Sequence, residues 1–285
     1  MARRAAACAG ALAAGILIWS LPGSAAGAEL RLESLPAHAP FAAKAAQFKS
    51  ADVSPGRAFF DAKRKPALRF RALAPVPDRV RTRVVRADGG KVVRHWVETG
   101  VEAGRLQERS WDGRRANGKV VADGRYRFEL GAPGSRLRRA GDFRFYDHRF
   151  PVRGPHFYGD RFGVPRSGGR THEGQDVVAS CGTPLGAARG GRVQARGYSH
   201  SLYGFWVLID GRKTSRDYFY SHLQAASPLR DGERVRTGAR VGLVGKTGNA
   251  RSEFCQLHFE LWPRGYRHGA PKDPLPALRD WDGWS

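Results

Sequence analysis

Residues 255–261 read Cys-Gln-Leu-His-Phe-Glu-Leu, and the alternation of polar and apolar side chains along them predicts a β-strand. Gln256, His258 and Glu260 share one face of this strand, and the apolar residues between them share the other. Because an apolar face packs against a core, we expect His258 to project from the sheet toward a cleft.

Two further segments place polar side chains at the ends of predicted strands. Residues 218–223 read Tyr-Phe-Tyr-Ser-His-Leu, a strand that ends at His222. Residues 170–176 read Arg-Thr-His-Glu-Gly-Gln-Asp, a glycine-bearing loop that enters a strand at Asp176. His172 and Asp176 form either a metal-ligand pair or a structural hydrogen bond, and their spacing alone does not decide between the two.

The three segments together, in their order and spacing, resemble the lysostaphin-type zinc endopeptidases, also called glycyl-glycine or LytM-like metallopeptidases. The resemblance extends over residues 162–278 and includes glycine-rich motifs at 182–193 and 241–248. It implies an antiparallel β-sheet domain that binds one Zn²⁺ ion and cleaves peptide bonds in bacterial peptidoglycan.

The resemblance implies a role for each polar residue of these segments. His172, Asp176 and His258 match the family's three metal ligands, and two imidazoles with one carboxylate suit zinc while leaving a fourth position open. His222 matches a catalytic histidine beside the metal, where it orients water or stabilises an oxyanion.

Gln256 stands where the family has a second catalytic histidine, and this difference leaves two functions open. A carboxamide forms hydrogen bonds but takes no proton at neutral pH. The first function is an endopeptidase in which His222, Glu173 or a chain of waters carries the proton. The second is a catalytically impaired domain that keeps zinc and binds wall peptide or regulates a partner hydrolase. A further departure is Phe205-Trp206, where the family often has a polar Asn, and it alters the expected substrate contacts.

Residues 1–28 have the features of a secretory signal peptide: two arginines, an apolar run and small residues before a cleavage point near Ala28. An uncleaved membrane anchor is the alternative. After cleavage, Cys181 and Cys255 are the two remaining cysteines, and an oxidising compartment favours a disulfide between them over two unpaired thiols. Beside the implied zinc ligands, this disulfide would hold two ligand-bearing segments together.

The chain is predicted to be all-β, with an immunoglobulin-like β-sandwich followed by an antiparallel β-sheet zinc peptidase domain. Alternating residues between glycine turns predict the sandwich at 52–148, after a linker or pro-segment at 29–51. Residues 111–126 resemble the immunoglobulin-like module of flagellar hook-capping proteins, with Trp111 in the core. The peptidase domain is expected at 152–280.

The formal net charge of +23 has two explanations, a general bias of the sequence toward arginine or an anionic partner. Nucleic acid is one such partner, but the predicted signal peptide favours the cell envelope. We therefore expect a secreted or envelope protein, outside the cytoplasm, that binds peptidoglycan peptides and, as a second partner, anionic wall polymers. We expect neither a nucleic-acid partner nor a membrane span in the mature chain.

Overall fold

Strands dominate the part of the chain that can be described. The structure, a computed structural model, describes residues 47–285, so the predicted signal peptide at 1–28 and most of the predicted linker at 29–51 lie outside the described residues. Within residues 47–285 there are seventeen strands, two short 3-10 helices and one α-helix. No helix in this range is long and apolar enough to cross a bilayer.

Eight strands form an N-terminal β region, and alternation of side chains determines how they pack. Along the fourth strand, Val80, Thr82 and Val84 are buried, while the arginines between them are more exposed. The strands are β1 (Phe48–Ser54), β2 (Arg57–Phe59), β3 (Ala67–Ala72), β4 (Arg79–Arg86), β5 (Val92–Thr99), β6 (Gln107–Ser110), β7 (Gly124–Gly131) and β8 (Arg138–Tyr146).

Two sheets of this region share one aromatic core. One sheet has the order β1-β3-β6 and the other the order β2-β8-β7-β4-β5. Trp111 is only 1% exposed and contacts Tyr126, Phe143 and Phe145, as expected for a core residue. Its indole N–H donates a hydrogen bond of 2.8 Å to the carbonyl of Arg114, which satisfies the one polar atom of the buried ring.

Nine strands form the C-terminal region. Seven of them build one antiparallel sheet in the order β15-β12-β13-β14-β17-β10-β9, and β11 pairs separately with β16. The strands are β9 (His156–Tyr158), β10 (Gln175–Ala179), β11 (Pro184–Gly186), β12 (Gly191–Ser199), β13 (Gly204–Gly211), β14 (Asp217–Leu223), β15 (Arg234–Val235), β16 (Arg240–Leu243) and β17 (Gln256–Trp262).

The strand predicted at 255–261 is β17, and its two faces differ as the sequence indicates. Leu257 and Phe259 are fully buried in the main core of the C-terminal region. His258 and Glu260 lie on the opposite face. β17 lies between β10 and β14 in the sheet, so that both Asp176 and Ser221 pair with His258 across the strands. This register brings the predicted site residues to one place.

The ends of the described chain differ from the expectations. The all-β prediction missed a helix, α1 (Leu275–Trp284), which continues beyond the predicted domain end at residue 280. Leu275, Leu278 and Trp281 recur every three residues and bury one side of this helix. β1 begins at Phe48, inside the segment predicted as linker, because Phe48 and Val53 pack against the Trp111 core.

Replacing Trp111 with alanine should destabilise the N-terminal β region by about 3–5 kcal/mol, because the change leaves a cavity among three aromatic rings. Urea unfolding of the full chain measures the loss. The matched control is Val97→Ala, at a side chain that is 51% exposed, for which a change within about 0.5 kcal/mol is expected. Equal effects of the two substitutions would contradict the assignment of Trp111 to the core.

Candidate metal centre

Three predicted ligand residues meet in a buried cluster. His172 Nε2 lies 2.8 Å from His258 Nδ1 and 3.2 Å from Asp176 Oδ1. His258 Nδ1 lies 3.0 Å from the same carboxylate oxygen. Each of the three residues is 6% exposed or less. One carboxylate oxygen and two imidazole nitrogens therefore converge on a single point, a geometry suited to binding one cation.

The local chain path explains why these residues meet. Asp176 on β10 pairs with His258 on β17, and His172 precedes β10 in a loop. Gly174 lies between the first two ligands, where a Cβ atom would approach the His258 ring to 2.8 Å and the Phe259 carbonyl oxygen to 2.5 Å. Any larger residue would displace the ring, so glycine is required here for close approach rather than for a turn.

Hydrogen bonds on the far side of each imidazole determine which nitrogen faces the cluster. The Nδ1–H of His172 donates to the Arg161 carbonyl oxygen at 2.8 Å. The Nε2–H of His258 donates to Glu260 Oε1 at 3.1 Å, and the Trp262 indole N–H donates to the other Glu260 oxygen at 2.7 Å. With both N–H groups used in this way, each ring turns a nitrogen lone pair toward the cluster.

Lone pairs that converge in a buried place repel one another unless a positive charge lies among them. Burial opposes ionisation of Asp176, but its close contacts with the His172 and His258 rings outweigh burial and lower the pKa of that carboxyl below its ordinary value. Burial likewise lowers the pKa of His258, yet hydrogen bonds to Asp176 and Glu260 raise it overall to about 9. Without a metal, a proton on His258 supplies the positive charge.

The donor set fits zinc. Two imidazole nitrogens and one carboxylate oxygen are a common set for a zinc ion that keeps a further position open, and thiolate ligands are not required. The carbonyl and carboxylate behind the two rings are the outer hydrogen-bond acceptors typical of zinc-binding histidines.

His222 stands beside the cluster at the end of β14. Its ring centroid is 5.8 Å from that of His258, and its Nδ1–H donates to the Thr247 carbonyl oxygen at 2.9 Å. Burial, together with the positive charge of His258, lowers the pKa of His222 to about 4. At neutral pH the ring is therefore uncharged, and with its proton on Nδ1 it keeps Nε2 as a proton acceptor.

One cavity of about 460 Å³ contains all five residues that the sequence singled out as metal-binding or catalytic. Gln256, half-buried at the start of β17, lines it together with His222 and the three clustered residues. The cavity lining comes entirely from residues 157–260, within the C-terminal region.

Cys181 and Cys255 form a disulfide whose Cα atoms are 5.2 Å apart, across 74 residues of sequence. Cys181 follows β10, which carries Asp176, and Cys255 directly precedes β17, which carries His258. The bond thus joins the ends of the two strands that position these ligands.

Sequence reasoning missed two supporting residues. Glu260 shares a strand face with His258, and a carboxylate two residues after a ligand histidine indicates an outer hydrogen-bond acceptor. Thr247 positions His222 through a backbone carbonyl, and its hydroxyl donates to Leu223 at 2.7 Å and accepts from the Phe205 N–H at 3.0 Å. Only the folded chain reveals these contacts.

Comparison with known proteins assigns the family. Residues 170–274 match Peptidase family M23. The lipoprotein NlpD of Yersinia enterocolitica is 31% identical over 91 residues, which are 32% of this chain and 88% of that protein. The chain belongs to peptidase family M23. The M23 match contains His172, Asp176, His222, Gln256 and His258, and zinc is the metal that the family and the donor set both indicate.

Other relatives match the same M23 region. The L-Ala–D-Glu endopeptidase of Bacillus subtilis is 28% identical over 146 residues, which are 48% of this chain. This chain spans only 44% of the length of that enzyme. The catalytic domain of lysostaphin from Staphylococcus simulans is 25% identical over 44% of this chain and 92% of that domain, with a TM-score of 0.40.

Replacing Glu260 with alanine should weaken zinc binding at the M23 site by about 10- to 100-fold, because His258 loses the acceptor that orients its ring. Glu260→Gln should weaken zinc binding less than Glu260→Ala does, since its amide oxygen still accepts a hydrogen bond from the Nε2–H of His258. Competition with a chromophoric chelator measures the affinity. The matched control is Glu253→Gln, at an exposed glutamate on the rim of the same cavity. Unchanged affinity in Glu260→Ala would contradict the role of Glu260.

Zinc binding should release at least one proton at about pH 6.5, because His258, with its pKa raised to about 9, is protonated in the metal-free chain and must lose that proton to bind the metal. Calorimetric titrations with zinc in buffers of different ionisation enthalpy measure the number of protons released. An observed enthalpy that does not depend on the buffer would contradict this account of the metal-free cluster.

Proposed function

We propose that this protein is an exported zinc metallo-endopeptidase that cleaves peptide bonds in bacterial peptidoglycan. The observation that carries the proposal is the convergence of His172, Asp176 and His258 beside His222 in one open cavity. The M23 match supports a peptidase, and the similarity to an L-Ala–D-Glu endopeptidase supports a wall peptide as substrate.

In this proposal His172, Asp176 and His258 hold the zinc ion, and other side chains handle the substrate and the proton. Bound zinc supplies Lewis-acid chemistry, because it acidifies water and polarises a carbonyl oxygen. His222 accepts the proton of the attacking water at Nε2, while the Thr247 carbonyl holds its Nδ1–H. The same nitrogen then donates that proton to the amine that leaves.

Gln256 has a different task from the histidine that the family has at its position. Its amide N–H₂ group can donate a hydrogen bond to the developing oxyanion, but the side chain cannot accept and return a proton. We assign the proton transfer to His222 alone. The same feature supports the second candidate function, a domain that retains zinc, binds wall peptide and regulates a partner hydrolase.

We also propose that the protein works outside the cytoplasm. The Cys181–Cys255 disulfide supports this location, since disulfides persist in oxidising compartments. The net charge of +23 supports an additional attraction to anionic wall polymers. The predicted signal peptide at 1–28 is the route of export in this proposal.

For the N-terminal β region we propose an immunoglobulin-like module, over residues 52–148, that serves as a spacer for a peptidase domain at 152–280. Its two sheets around a buried tryptophan support the module. The Asp61 carboxylate contacts Arg212 at 2.7 Å and Arg234 at 3.1 Å, which supports a fixed attachment of the spacer to the catalytic region.

The purified, zinc-loaded chain should release soluble fragments from peptidoglycan, and His172→Ala, which loses a ligand, should release none. Gln256→His should raise the rate, up to the roughly 10²- to 10⁴-fold that general acid–base assistance provides. Mass spectrometry of the released fragments identifies the bond that is cut.

Zinc content, measured on each variant, separates the two candidate functions. A natural chain that binds zinc and releases no fragments, while Gln256→His releases them, would overturn the peptidase proposal and favour the wall-binding domain. A natural chain that contains no zinc would overturn both.

A further inference from the structure

A second cavity, also of about 460 Å³, adjoins the metal cavity, and Tyr203 lines both. Half of its ten lining residues are aromatic, and polar side chains lie among them. We call this cavity the aromatic subsite, and its principal residues are Gln194, Tyr203, Trp206, Phe219, Tyr266 and Arg267.

The aromatic subsite lies on the same face of the sheet as the metal cluster. Phe219 on β14 pairs with Glu260 on β17, and Ser221, two residues further on, pairs with His258. Residues directly opposite one another in adjacent strands project from the same face. A substrate held at the metal cluster therefore continues onto the aromatic rings without crossing the sheet.

Trp206 and Tyr266 present the apolar surface, and Phe219, which is only 2% exposed, packs against both of them. The Trp206 indole lies against Gly197 on β12, where a Cβ atom would come within 2.8 Å of the ring, so the absence of a side chain lets the indole lie on the strand. Phe219 is 5.5 Å from Trp206 with an interplanar angle of 30°, and Tyr266 is 6.1 Å from Phe219 at 17°. Tyr266 remains 38% exposed.

A polar atom without a partner lies among these rings. Gln194 Oε1 is buried and has no hydrogen-bond partner among the described residues, although it lines the cavity. A buried acceptor left unpaired costs about 1–3 kcal/mol, so a rotation of the Gln194 side chain that brings Oε1 to a ligand donor in the cavity is favoured. Arg267 adds hydrogen-bond donors to the same cavity.

We propose that the aromatic subsite binds an N-acetylated sugar of the glycan strand to which the wall peptide is attached. The apolar face of the pyranose packs on Trp206, and an acetamido N–H or a hydroxyl donates to Gln194 Oε1. This inference rests on the proposed function, because it takes the peptide at the metal cluster to be part of peptidoglycan.

The chemistry of the cavity favours a sugar over an apolar peptide side chain. A pyranose ring carries C–H groups on its faces and polar groups around its edge, which matches aromatic rings bordered by an amide and a guanidinium. An apolar side chain would leave Gln194 Oε1 unpaired.

Binding of a β-1,4-linked tetramer of N-acetylglucosamine to the full, zinc-loaded chain tests the proposal by calorimetry and tryptophan fluorescence. Trp206→Ala should weaken binding about tenfold or more, as expected for loss of an aromatic contact, and Trp206→Phe should retain part of it. Gln194→Ala should also weaken binding, without lowering the thermal unfolding temperature, because its Oε1 has no partner to lose.

The control is Trp96→Phe, at a half-buried tryptophan of the N-terminal β region, and it should bind the tetramer like the natural chain. Absence of tetramer binding to the natural chain would overturn the subsite. So would binding of the tetramer by Trp206→Ala and Gln194→Ala as tight as that by the natural chain. Binding does not require turnover. A chain that binds the tetramer but cleaves nothing would therefore refute the peptidase proposal and leave the subsite intact.

A kinetic comparison distinguishes the sugar from a peptide side chain as occupant. With a sugar in the subsite, Trp206→Ala raises KM about tenfold for a muropeptide that carries its disaccharide and leaves KM for the sugar-free peptide unchanged. An equal rise for both substrates would identify a peptide side chain as the occupant and overturn the proposal.

Discussion

Two imidazole nitrogens and one carboxylate oxygen lie close together at His172, His258 and Asp176. This close approach constrains the rest of the C-terminal region. Because the far nitrogen of each ring already donates a hydrogen bond, the near nitrogens offer lone pairs to the same buried point. Such a cluster requires a cation, either a proton or a metal ion. The pairing of β10 with β17, the absence of a side chain at Gly174 and the disulfide between the ends of these strands all maintain this approach.

Much of this arrangement follows from local patterns that act over a few residues. The alternation in residues 255–261 predicts both the strand and the face on which His258 lies, because side chains alternate along any strand. The sequence does not predict helix α1, although Leu275, Leu278 and Trp281 have helical spacing, because its segment is only ten residues long and contains Pro276 and Gly283, which usually mark turns. The hydrogen bond from His222 to the Thr247 carbonyl joins residues 25 apart in sequence, and no local pattern indicates such a contact.

Zinc binding and zinc-dependent peptide hydrolysis are separate properties, and they depend on different residues. Glu260 and the Arg161 carbonyl orient the ligands, whereas His222 and Gln256 line the cavity beside them and carry the proposed chemistry. Gln256 reduces the capacity for proton transfer without disturbing the ligands. Under the proposed sugar binding, the aromatic rings further along the same sheet face would hold a long substrate beyond the reacting bond and so offset slower chemistry in part.

X-ray absorption at the zinc edge of the purified chain tests the central claim, that His172, Asp176 and His258 together hold zinc. The account predicts one zinc ion per chain with nitrogen and oxygen ligands at about 2.0–2.1 Å and the outer-ring scattering of two imidazoles. In His258→Ala, the same spectrum should show the scattering of one imidazole instead of two. A spectrum with sulfur ligands at about 2.3 Å, or one that is unchanged in His258→Ala, would contradict the account.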